Sequence, residues 1–130
     1  MRLLLDTHII IWLILQPTTL TPAERAAIDA PEADLLMSAA SVWEVRAKWL
    51  AARRSKRVWE LSPSSLLAFA ASNALTLAPL SAEACVAELV PALAHRDPFD
   101  EMLLVHASTL GARLLTRDRQ LREHPLAYQP

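Results

Sequence analysis

Five carboxylates in this chain stand where chemistry, rather than solubility, would use them. Asp6 ends the apolar run Leu3-Leu4-Leu5, and Glu44 sits between Trp43 and Val45. Asp97 and Asp100 are three residues apart, with Pro98 between them, at the start of a long apolar segment. Asp118 follows Leu114-Leu115-Thr116-Arg117. Carboxylates gathered at one place repel each other, which raises their pKa values and costs stability. A chain tolerates that mainly where a divalent cation supplies the opposite charge. All-oxygen donors suit Mg²⁺ or Mn²⁺. Such an ion can lower the pKa of a water, polarise a phosphoryl oxygen and stabilise a leaving oxygen, so phosphodiester hydrolysis is the reaction that fits. In-line attack then needs positioning more than a protein nucleophile. Thr7 and Thr116 stand beside Asp6 and Asp118, and their hydroxyls can hold a carboxylate, a water or a phosphate.

Each acid also has a structural reading. Asp6 can cap the helix that follows it. Asp97 is a natural N-cap ahead of Pro98, with Asp100 as the N3 acid that the helix dipole favours. Asp118 can cap a turn, and Glu44 can face solvent. Glu44 resists this reading best, because a charge flanked by apolar residues is seldom buried without a partner. His8, beside Asp6, reads either as a general base or as a hydrogen-bonded supporting histidine.

The elements that would position these acids follow from pattern. Arg2–Leu5, Leu35–Met37, Leu75–Leu77 and Arg113–Thr116 are short, nearly wholly apolar runs, and Leu126–Tyr128 is a weak fifth. Such runs are the mark of a parallel sheet covered on both faces. Between them lie helical segments. The first is Ile9–Leu15, capped by Asp6 or Thr7. Thr21-Pro22-Ala23-Glu24 is a capping box with proline at N1, opening a helix to about Asp29. Ser38 caps a helix to about Ala52, and Ser62-Pro63 starts one to about Asn73. Ser81 opens one to about Val90. His95 and Arg96 lie in a loop, and the helix begun by Asp97 ends at Gly111. Strands alternate with helices throughout, which predicts an α/β fold: a three-layer open sheet of four to five parallel strands, in a single domain over residues 1–130. In such sheets ligands bind beyond the carboxyl ends of the strands. Asp6 and Asp118 fall there directly.

Composition excludes several alternatives. Gly111 is the only glycine, so phosphate-cradling glycine loops and dinucleotide fingerprints are absent. Cys85 is the only cysteine, which rules out an internal disulfide and cysteine-based zinc; its helical apolar pattern predicts a buried side chain. No apolar run approaches the ~18 residues of a membrane span. Asp6 and His8 interrupt the N-terminal apolar stretch, so a signal peptide is not expected and a cytoplasmic location is. The 53% hydrophobic content points to a protein partner. Net charge is −1, yet Arg46, Lys48, Arg53, Arg54, Lys56 and Arg57 crowd together without an acid. That run reads as phosphate contact, as partner contact or as a solvated helix end. Trp12 and Trp43 are expected in the core. Trp49 and Trp59 flank the basic run, as a partner groove or a stacking surface for a base.

Taken in order, four segments carry a resemblance. Leu3-Leu4-Leu5-Asp6-Thr7-His8 followed by Trp12 resembles the opening of PIN-domain ribonucleases. Ser38 to Val45, His95 to Leu103 and Leu115-Thr116-Arg117-Asp118 resemble their later acidic motifs. The subset is similar to VapC-type toxins of toxin–antitoxin pairs. The resemblance implies a PIN-like fold and a Mg²⁺- or Mn²⁺-dependent endoribonuclease with Asp6, Glu44, Asp100 and Asp118 as its acidic site. Asp97 would be an accessory acid or helix cap. It further implies a homodimer, a cognate antitoxin covering the site, and transfer or ribosomal RNA as substrate. DNA would be met only indirectly, through the antitoxin. Two positions depart from the pattern: Glu101 stands where arginine is common, and Val105-His106 replaces a pair of small residues.

Two competing readings remain open at this level. One is a non-catalytic module acting through a DNA-binding antitoxin. The other is a phosphatase-type hydrolase with Asp6 as nucleophile; that chemistry usually wants a second acid two residues on, where this chain has His8.

Overall fold

Leu3, Leu4 and Leu5 are all fully buried, yet they serve two different cores. They belong to β1 (Arg2–Leu5), one of the two inner strands of a four-stranded sheet. A strand alternates its side chains between faces. Leu3 and Leu5 therefore join a cluster with Ile9, Ile10, Met37, Val45 and Leu66, whereas Leu4 joins Leu36, Leu103, Leu104 and Leu114. Both faces are covered, as the unbroken apolar runs require. The computed structural model describes residues 1–95 and 97–129. Arg96, expected in the loop after His95, lies outside the described residues.

α1 (Thr7–Leu15) follows β1 directly, and a 3₁₀ turn (Pro17–Thr19) leads to α2 (Pro22–Asp29). The Thr21–Glu24 capping box is formed in both directions. β2 (Asp34–Ser38) then feeds α3 (Ala39–Arg54), with Ser38 capping it through the Ala40 N–H. Next come α4 (Pro63–Ser72), β3 (Thr76–Ala78) and α5 (Ala82–Val86). α6 (Pro98–Thr109) starts at Asp97, which accepts from the Phe99 and Asp100 N–H groups. Gly111 follows its C-terminus with φ +63°, a conformation that carries little penalty only without a Cβ. β4 (Arg113–Leu115) and α7 (Arg119–Arg122) close the chain.

All strand pairs are parallel, in the order β3-β2-β1-β4. The α/β prediction holds, with four strands. The fifth is reduced to a single bridge: Ala127 sits beside Leu114, fixed by backbone bonds from Leu114 to Leu126 and from Tyr128 to Leu114. Three further expectations are corrected. α5 stops at Val86 rather than near Val90. Cys85 is exposed, because a five-residue helix has too few turns to hold its whole apolar pattern against the core. Trp43 is 61% exposed rather than in the core, since α3 turns Val45 inward and Trp43 outward. His106 is buried and hydrogen-bonded to Ser38 Oγ at 2.8 Å, joining α6 to the end of β2. Burial pushes its imidazole pKa down. Among the described residues no helix is long and apolar enough to cross a membrane.

Candidate active site

The carboxyl ends of β1 and β4 are stitched together around Asp6. Its backbone N–H donates to Leu115 O at 2.9 Å, which continues the parallel ladder by one residue. Its side chain occupies the N-cap position of α1 but makes no cap bond there. Instead the Thr116 hydroxyl donates to Asp6 Oδ2 at 2.6 Å. The same Thr116 oxygen accepts from the Asp118 N–H at 3.1 Å, so one hydroxyl sets both acids. Asp118 also accepts from the Gln120 N–H at 2.9 Å, capping α7.

Glu44 reaches the same place from α3. Thr7 donates to its Oε1 at 3.0 Å, and Lys48, one turn on, pairs with its Oε2 at 3.2 Å. Thr7 is itself held by Ser41 at 2.8 Å. Asp100, in the first turn of α6, is 3.0 Å from His95 Nε2. Asp97, Asp100, Asp6, Glu44 and Asp118 all line one cleft of about 620 Å³. The opposite readings of the acids therefore coexist: Asp97 and Asp118 are caps and also cleft residues.

The electrostatics carry the strain of that crowding. The Asp6 carboxyl is pushed above its usual range, first by burial and then by the charges of Asp100 and Glu44; Thr116 and His8 oppose the rise. Asp100 is likewise pushed up by burial and by Asp97 and Asp118, against the His95 hydrogen bond. A donor set of four carboxylate side chains that destabilise one another fits a hard divalent cation in type. As the side chains lie, no three His, Cys, Asp or Glu groups among the described residues are close enough to grip one ion. Each acid is tied to a partner of its own instead: Asp6 to Thr116, Glu44 to Thr7 and Lys48, Asp100 to His95, Asp118 to the start of α7.

Of the basic run, only Lys48 lines this cleft. Arg46 and Arg53 lie over Trp43 and Trp49, at 5.5 and 4.6 Å from the ring centroids, and Arg54 is exposed. Trp59 lies with Lys48, Arg57 and Val58 in a neighbouring 310 Å³ hollow. Glu101 is exposed on α6. Sequence reasoning missed the wall of the cleft. Trp12 is half-buried and faces into it, with Arg117 over its ring at 4.1 Å. Arg117 binds both oxygens of Glu24, at 2.8 and 2.6 Å, and Thr19 O. Nothing local announces a pair 93 residues apart.

The PIN domain family model matches residues 3–125. Ribonuclease VapC22 of Mycobacterium tuberculosis is 34% identical over 122 residues, 93% of this chain and 90% of that one. The crystal structure of VapBC2 from Rickettsia felis, bound to a DNA fragment from their promoter, contains a chain of like fold. It has a TM-score of 0.70 and 18% identity, over 98% of this chain and 96% of that chain. With the family model spanning all four acidic segments and a relative of this similarity along nearly its full length, the chain belongs to the PIN-domain family, in its VapC-type branch.

Proposed function

We propose that this chain, as one domain over residues 1–130, is a Mg²⁺- or Mn²⁺-dependent endoribonuclease and the toxin of a toxin–antitoxin pair. One observation carries the reading: Asp6, Glu44, Asp100 and Asp118 meet in one cleft at the carboxyl edge of the sheet, with Asp6 and Asp100 pushed toward protonation by burial and by each other's neighbours. A structural role gives no reason to keep four repelling acids together. The name of the Mycobacterium tuberculosis relative supports RNA as the substrate.

Asp6, Asp100, Asp118 and Glu44 would hold the ion. Bound there, it would polarise the scissile phosphate and make a water nucleophilic. The chain's own groups orient the acids. Thr116 fixes Asp6 and Asp118 relative to each other, Thr7 fixes Glu44, and Asp97 starts α6 so that Asp100 reaches the cleft. Lys48 is the cation of the basic run nearest the reacting phosphate; Arg46, Arg53 and Arg54 serve longer-range contacts to RNA or to the antitoxin. Transfer or ribosomal RNA in the cytoplasm is the expected target.

An apolar hollow of about 420 Å³ adjoins the cleft, lined by Ala40, Trp43, Leu80, Phe99 and Met102 among others. This surface favours a protein partner: a second copy in a homodimer and a cognate antitoxin. Contact with DNA would be through that antitoxin, in keeping with the promoter-bound VapBC2 assembly. The decisive experiment is sequencing of RNA ends after expression of the chain alone, with Asp6→Asn and Asp118→Asn as controls. Discrete new ends that vanish in both variants support the enzyme. Growth arrest with no new ends, or ends that persist in the variants, leaves only the module acting through its partner.

A further inference from the structure

Part of the cleft lining is not acidic. His8, Trp12 and Arg117 line the cleft alongside the five carboxylates. The Trp12 ring meets the Arg117 guanidinium at 4.1 Å and the exposed His8 ring at 5.9 Å, tilted by 43°. Arg117 is built in from three directions: Nε and Nη2 on Glu24, Nη2 also on Thr19 O, and Trp12 against its face. Glu24 is in turn locked by the Thr21 capping box. Its Nη1 edge makes no hydrogen bond among the described residues, and the side chain keeps 33% of its surface exposed.

A guanidinium held this way is poorly suited to binding a phosphate. Its charge is already matched by Glu24. What remains is a flat, rigid surface with two free N–H groups. A planar cation backed by an aromatic ring is a stacking platform for a nucleobase, and unpaired bases stack on arginine planes and on histidine and tryptophan rings. The geometry points to Arg117, Trp12 and His8 as a base-binding subsite that seats one unstacked nucleobase of the RNA beside the phosphate to be cut. The subsite rests on the ribonuclease reading and adds to it the residues that position the substrate. It divides the work of the cleft: the acids handle the phosphate, and His8, Trp12 and Arg117 grip the base. It also gives the buried Glu24 a role distinct from that of the acids, since it fixes the platform.

The test compares a short fluorescent single-stranded RNA with the same strand carrying one abasic site at the cut position, using the full chain. Binding is measured in EDTA and steady-state cleavage in Mg²⁺. The wild-type chain should bind the intact strand about tenfold more tightly than the abasic one, the scale of one base stack. Arg117→Lys keeps the charge and loses the plane; His8→Ala alters an exposed side chain and leaves the core untouched. Each should raise KM with kcat little changed, and each should shrink the preference for the intact strand. Thermal melts of both variants separate this from unfolding, and His8→Ala carries the test if Arg117→Lys is unstable. Equal wild-type affinity for the two strands, with cleavage intact, overturns the subsite alone. So does an Arg117→Lys variant weakened equally on both strands, which is the behaviour of a phosphate contact. A wild-type chain that neither binds nor cuts either strand overturns the ribonuclease reading and the subsite with it.

Discussion

Asp6 and Glu24 are almost equally shielded from solvent, 7% and 8% exposed, yet their pKa values shift in opposite senses. Asp6 is pushed up from 3.8 by its burial, and Glu24 is drawn down from 4.5 chiefly by its hydrogen bonds to Arg117. Burial is the leading cause for Asp6 and the Arg117 hydrogen bonds for Glu24, so the difference lies in depth and in the company each keeps. Glu24 has a guanidinium on both oxygens and the Thr21 N–H besides. Asp6 has one hydroxyl, and the like charges of Asp100 and Glu44 add to its burial. A buried acid with its own cation is part of the scaffold; one left among other acids is kept at a cost to stability, and function accounts for the cost. Linkage follows with opposite signs. The Asp6 contribution to stability is complete below about pH 3.8 and is lost as pH rises through its folded value. The Glu24 contribution is complete above about pH 4.5 and is lost as pH falls through its folded value.

The strongest way to break this contrast is to neutralise each acid in turn. Asp6→Asn should lower RNA cleavage by ~10²-fold or more, the scale of losing one contact to developing charge. Its Tm at pH 7 should rise by about 2–5 °C, with the gain fading toward pH 4 as the wild-type carboxyl takes up its proton. A lower Tm at neutral pH would mean that Asp6 is a structural acid after all. Thr116→Val removes the hydroxyl that sets Asp6 and Asp118 together and should reduce cleavage roughly 10-fold, as lost support behind a metal ligand does; unchanged kinetics would leave Thr116 a strand-end residue only. Glu24→Gln should act on the fold instead, destabilising it by about 1–2 kcal/mol at pH 7 because Arg117 is a third exposed and partly screened. Urea melts at pH 7 and pH 3 check the sign: the loss should shrink at pH 3. Smallest of all, Mg²⁺ in excess should raise the wild-type Tm by a few degrees through mass action, leave Asp6→Asn unmoved, and still stabilise Glu24→Gln. Stabilisation of Asp6→Asn by Mg²⁺ would place the ion elsewhere.

The strands were legible because a parallel strand covered on both faces must be apolar at its centre, and Leu3–Leu5 in β1 and Leu35–Met37 in β2 carry that signal without interruption. The helix starts were legible because Thr21, Ser38, Ser62, Ser81 and Asp97 each satisfy a local N–H, with proline at N1 after three of them. Trp43 and Cys85 were misjudged for one reason. Apolar spacing marks a helix face but not which neighbour, if any, covers it, and α5 is too short to bury Cys85. Leu126–Tyr128 kept one bridge of its expected strand because its backbone bonds reach β4 only at Leu114.

By itself the sequence determined the order of elements, the alternation of strand and helix, and which five acids were candidates, since local propensity, capping and spacing act over a few residues. Only the tertiary structure decided the partners of the two most buried acids, Asp6 and Glu24. Asp6 meets Thr116 across 110 residues and Glu24 meets Arg117 across 93. No local pattern encodes such contacts. They arise when parallel crossovers bring the ends of β1 and β4 side by side, and that packing turned one buried acid into a brace and another into part of a cleft.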